Sequence, residues 1–125
     1  MLKFTINLPP RTKKNSQRIV VVRNRPMIIP SKLYKDYEKE CKKYIPKLEP
    51  IDYPINLKCV YYMATRRKVD LCNLLEATCD MLVHYNIITD DNSKIVYSHD
   101  GSKVLYDKNN PRVEIEIERV DDENI

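Results

Sequence analysis

The 125-residue chain reads as a single-domain α+β fold, with a mixed or antiparallel sheet and two main helices. Three observations predict it. Ile55, Leu57, Cys59, Tyr61 and Met63 alternate with other residues, the period of a half-buried strand. From about Asp70 to Tyr85 the apolar residues recur at helical spacing. Short alternating segments lie at both ends of the chain, giving the order strands, helix, strand, helix, strands. The length suffices for a real core. A hydrophobic fraction of 42% with 32% charge fits a globular protein rather than a disordered one.

Taken in order, Leu2–Leu8 alternates roughly as a strand, and Pro9-Pro10 stops it. Residues 11–17 form a polar, basic loop. Arg18–Arg23 and Pro26–Ile29 read as two short strands turning at Asn24. Ser31 stands where a helix N-cap belongs, because its hydroxyl can accept from an orphan amide of the first turn. That helix runs to about Ile45 and ends before Pro46, with Leu33, Tyr37, Cys41 and Tyr44 as its apolar stripe. Its tyrosines suit core packing better than base stacking. Lys47–Pro54 is a proline-punctuated connection leading into the strand Ile55–Met63.

In the second helix, Leu71, Leu74, Leu75, Thr78, Met81 and Leu82 project to one side. Asp70, Asn73, Glu76, Ala77 and Asp80 project to the other, with Cys72, Cys79 and Val83 at the border. Lys94–Ser98 and Lys103–Tyr106 are expected to pair as a hairpin, since Asp100-Gly101 tolerates the positive φ angles of a tight turn. Arg112–Glu118 alternates as a final half-exposed strand. The domain is expected to span residues 1–119, followed by an acidic tail at 120–125.

Composition excludes several classes. With one glycine, no glycine-rich phosphate loop is available. No apolar run approaches membrane length, and MLKFTINLPPR lacks a secretory core, so a cytoplasmic protein is expected. Cys41, Cys59, Cys72 and Cys79 then read as reduced, mostly buried thiols, although two disulfides are arithmetically open. His84 and His99 form no zinc pattern with them. Charge is asymmetric beneath a net +4. Met1–Lys35 holds nine Lys or Arg and no acid, whereas Glu114–Glu123 holds six acids and one Arg. A basic third of a chain is either a solvated face or the footprint of a polyanion, and the complete lack of acids favours nucleic acid.

The sharpest signal is residues 68–94. Asp70, Asn73, Glu76 and Asp80 lie at helical spacing, and Asp90-Asp91 closes the segment. Gathered carboxylates suit a hard cation such as Mg²⁺. Phosphodiester hydrolysis needs an activated water, charge neutralisation and a stabilised leaving oxygen, all of which carboxylate-held ions can supply. Asp70 and Asp91 would converge if the chain folds back, with Arg66, Arg67 and Lys68 beside the scissile phosphate.

Here the residues resemble the RusA-like crossover junction endodeoxyribonucleases, the Holliday junction resolvases often carried by phages and prophages. The resemblance rests on Arg66-Arg67-Lys68-Val69-Asp70-Leu71-Cys72-Asn73-Leu74, then Asp80, then Asp90-Asp91. Lys13-Lys14-Asn15-Ser16 resembles an early motif placed near DNA. Ser98–Ser102 and Tyr106–Arg112 are similar to the phage-type branch. The resemblance spans about residues 3–119. It implies a RusA-like fold and a Mg²⁺-dependent homodimer, with Mn²⁺ as substitute, that nicks two strands of a four-way DNA junction symmetrically in recombination and repair, in a bacterial or phage-infected cell. An isologous dimer matches the junction's two-fold symmetry.

Two departures bear on the site. Cys72 stands where the best-known members have a second catalytic Asp, and Glu76 stands where they have Lys. Cys is a poor Mg²⁺ ligand. Because 72 and 76 are neighbours on one helix, Glu76 is expected to supply the missing carboxylate. The expected catalytic set is Asp70, Asp91 and Glu76, with Asp90 as a further metal ligand or a loop cap. Cys72, Asn73 and Asp80 stand around it. Lys13, Lys14, Asn15, Ser16, Arg18, Arg66, Arg67 and Lys68 are expected to meet DNA. The alternatives are a weakened or inactive branched-DNA-binding protein, and a plain nucleic-acid-binding protein whose acidic face meets a partner.

Overall fold

A computed structural model describes residues 1–13, 17–30 and 32–121, with backbone alone for 17–20 and 27–30. The strands are β1 (Leu2–Ile6), β2 (Gln17–Val22), β3 (Arg25–Pro30), β4 (Ile55–Met63), β5 (Val96–Ser98), β6 (Lys103–Tyr106) and β7 (Arg112–Arg119). The helices are α1 (Lys32–Cys41), extended by a 3₁₀ turn at Lys42–Tyr44, and α2 (Leu71–His84). The α+β reading holds: a mixed five-stranded sheet carries two main helices.

The strand β7 runs antiparallel between β1 and β4. Its alternation sends Val113, Ile115 and Ile117 into the core and Glu114 and Glu116 to the opposite face. Register sets Glu116 between Lys3 of β1 and Lys58 of β4. Both ammonium groups reach its carboxylate, at 3.1 and 3.3 Å. The inward residues of β4 (Ile55, Leu57, Cys59 and Tyr61) share one core cluster with Cys41 of α1 and with Leu74, Met81 and Leu82 of α2. Both helices therefore cover the same face of the sheet.

Three expectations change. The segments β5 and β6 do not pair with each other; they run parallel to β4 in succession, β5 at Ile55–Asn56 and β6 at Val60–Met63. The Asp100-Gly101 turn kinks an edge strand instead of closing a hairpin. Asn56 explains this, because its side chain accepts the Asp100 N–H at 2.8 Å and donates to the Asp100 carbonyl, fastening the turn to β4. Gly101 has φ of 88° there. In α1, Tyr34 and Cys41 are buried while Leu33 is exposed. In α2, Ala77 and Cys79 are buried, and Lys13 of the N-terminal segment reaches Asp80 beside them. The predicted cap at Ser31 lies outside the described residues.

The pair β2 and β3 forms a separate two-stranded ribbon, turning through Arg23 and Asn24 at φ of 51° and 63°. That is the left-handed pair a two-residue hairpin turn needs. All four cysteines are free thiols, and only Cys72 is exposed. Among the described residues no helix is long and apolar enough to cross a membrane.

Candidate functional site

The site is organised by the two ends of α2. At the N-terminus, Asp70 is extended (φ −90°, ψ 116°) and its carboxylate accepts the Cys72 N–H at 3.1 Å. Its carbonyl accepts from Asn73 and Leu74. Asp70 is thus an N-cap, satisfying amides that have no partner inside the helix and placing a negative charge at the positive end of the dipole. Cys72 and Glu76 are exposed one turn apart, and Asn73 is half-buried.

At the other end the chain turns through Asn86 in the left-handed region (φ 60°). The Ile87 N–H reaches the Leu82 carbonyl at 2.8 Å, and the Asn86 N–H reaches that of Val83 at 3.1 Å. This is the double bond of a Schellman stop, with Asn in the position glycine usually takes. The returning strand then hydrogen-bonds Ile51 from both sides, through Ile87 and Thr89. Asp90 caps the next turn: one carboxylate oxygen accepts the Asp91 N–H at 2.7 Å, and the other accepts from the Asn92 amide.

This return sets Asp91 beside the C-terminal half of α2. Its carboxyl is pushed above the ordinary range, first by partial burial, then by the hydrogen bond with Asp90 and the charge of Asp80. The buried Cys79 thiol is pushed up to about 12, by burial and then by Asp91 and Asp80. Asp80 also holds Lys13, whose Nζ lies 2.9 Å from Oδ2 and 5.6 Å from the centre of the Tyr34 ring.

Ten residues separate Asp70 from Asp80, a rise of about 15 Å along the helix. The chain does fold back, but to the Asp80 and Cys79 level. Among the described residues no three His, Cys, Asp or Glu side chains gather closely enough to hold a metal ion.

The cations divide in the same way. Arg66 stacks over Tyr106, 4.2 Å from the ring centre. Arg67 and Lys68 are exposed and line a cavity with Arg11 and Thr12. Lys14, Asn15 and Ser16 lie outside the described residues, and Arg18 is described by its backbone on β2 alone. Reading by sequence missed Arg11, which carries no motif, and the role of Asn86. An Asn directly after a helical period was the available signal for the second.

A family model described as Endodeoxyribonuclease RusA matches residues 7–118, nearly the whole chain. No curated protein matches it.

Proposed function

The chain belongs to the RusA endodeoxyribonuclease family, and from that premise we propose that it resolves four-way DNA junctions as a divalent-metal-dependent homodimer, with Mg²⁺ as the working ion and Mn²⁺ as its substitute. The observation that carries this reading is the separation of acids along α2. Asp70 stands at one end, and Asp91 with Asp90 belongs to the other. In a two-fold dimer whose α2 helices run antiparallel, the Asp70 end of each copy faces the Asp91 end of the next. Two half-sets then make two equivalent sites, as paired symmetric nicks require. Asp70 and Asp91 are the proposed catalytic carboxylates. Glu76 replaces the acid that Cys72 cannot provide, and Asp90 serves the loop or the metal.

The basic residues serve the substrate. Arg67 and Lys68, with the segment 13–18, would neutralise phosphates, making binding steeply salt-dependent. Recognition would rest on branch shape.

The test is cleavage of a synthetic four-way junction by the parent, Asp70→Asn, Glu76→Gln and Cys72→Asp, in Mg²⁺ and in EDTA, with sedimentation of the free protein. Paired nicking in Mg²⁺ only, by a dimer, is expected. A Glu76→Gln variant as active as the parent removes Glu76 from the site. Faster cleavage by Cys72→Asp identifies the cysteine as what limits metal binding. Exposed Cys72 at the helix start also supports a second reading, an inactive branched-DNA binder; junction binding without nicking selects it.

A further inference from the structure

The loop between β4 and α2 leaves a cavity of about 620 Å³ against the N-terminal segment and α1. Its walls have two chemistries. Pro10, Met63, Val69 and Leu74 supply an apolar floor, with exposed Leu33 at its edge. Arg11, Arg67 and Lys68 supply the rim, and no Asp or Glu lines it. Three cations over one concave surface concentrate positive potential there, which draws an anion. A second cavity of about 510 Å³ shares Lys68 and Val69 with the first and is also lined by Asp70, Leu71 and Asn73. The cationic cavity thus borders the end of α2 where the proposed catalytic Asp70 sits.

A phosphate alone gains nothing from an apolar floor. The bases of an intact duplex cannot reach one. A ligand with an apolar face on one side and a phosphate on the other matches both walls, and the volume lies within the range of small-molecule pockets. At the exchange point of a four-way junction, terminal base pairs stack poorly, so drawing out a base costs least there.

We infer that this cavity receives one unstacked deoxynucleotide of the junction, its base on Leu33, Met63 and Val69 and its phosphate on Arg11, Arg67 and Lys68. The inference rests on the endonuclease reading and adds to it a pocket for the base near the cut. Arg11 is its new residue. The pocket gives the enzyme a means of selecting where along a mobile junction it cuts, since some bases fit better than others.

The test uses the full-length protein and four-way junctions carrying 2-aminopurine at one position at a time, in EDTA, excited beyond the tryptophan band. The floor has no aromatic ring to quench an inserted base. The parent is expected to raise fluorescence several-fold at one position next to the exchange point, and not on linear duplex. Leu33→Trp fills the cavity from an exposed position and should abolish the rise, as should Thr65→Trp at a second lining position. Leu48→Trp, exposed and outside the cavity, should retain it. Arg11→Ala should reduce it at least threefold. A rise that survives both filling variants overturns the pocket. A parent that nicks the unmodified junction yet shows no rise at any position also overturns it and leaves the nuclease reading intact. A parent that neither binds nor nicks junctions overturns both.

Discussion

Two carboxylates behave oppositely in this molecule. On β7, Glu116 sits between Lys3 and Lys58, whose hydrogen bonds hold its carboxyl below the ordinary range. Its neighbour Glu114 has Arg112 at 3.5 Å. On α2 and its return loop, Asp91 has Asp90 and Asp80 for neighbours and its carboxyl is pushed up. The nearby Lys13 is taken by Asp80. Glu116 is neutralised by cross-strand register and ties β1, β7 and β4 together, while Glu114 is met by Arg112 of its own strand. Asp91, on the loop that returns beside α2, is held where its charge is disfavoured, as a carboxylate awaiting a cation would be.

The strongest challenge to this contrast is removal of the α2 acids. Asp70→Asn keeps an amide that caps the helix almost as well, and Asp91→Asn is nearly isosteric. Junction cleavage by either should fall about 100-fold or more, equivalent to roughly 3 kcal/mol of transition-state stabilisation. The melting temperature should barely move for Asp70→Asn. Glu116→Gln should leave cleavage within about twofold. Loss of activity on the β7 side, with none on the α2 side, would reverse the assignment.

A smaller effect tests the turn that brings Asp91 back. Asn86→Ala places a Cβ residue with no local hydrogen bonding at φ of 60° and should cost about 1 kcal/mol in urea unfolding. Asn86→Gly should cost nothing or stabilise slightly. Equal effects of the two would mean that left-handed backbone is not what matters there.

The pH dependence sharpens the comparison further. Asp91, raised, stabilises the fold below its unfolded pKa and loses that contribution as pH rises through its folded value. Glu116, lowered, stabilises above its unfolded pKa and loses that contribution as pH falls through its folded value. At neutral pH, Asp91→Asn should therefore raise the melting temperature, and Glu116→Gln should lower it. Both differences should shrink in acid. The smallest effect is that of salt: 1 M NaCl should erase most of the Glu116→Gln difference, because that carboxylate and its lysines face solvent.

Much of the fold was legible along the chain. Ile55–Met63, the second helix and Arg112–Glu118 appear within a residue or two of their expected bounds, because amphipathic period is a local property. The stop of α2 was harder: Asn86 acts through two backbone bonds that no side-chain pattern announces. Leu33 and Tyr34 exchange roles because adjacent helical residues differ by about 100°, and only the packing partner selects which is buried.

By itself the sequence determined the element types, the carboxylate stripe, the basic N-terminal third and the family pattern from Arg66 to Asp91. Tertiary structure decided which of these features meet. It placed Lys13 on Asp80, 67 residues away, and brought Arg11 to one cavity with Arg67. It set Asp91 beside Asp80 and Cys79 and laid β5 and β6 along β4. The reason is physical. Period and propensity act over a few residues, whereas a site depends on distances between segments, set by how one core face packs and how each chain reversal satisfies its backbone groups.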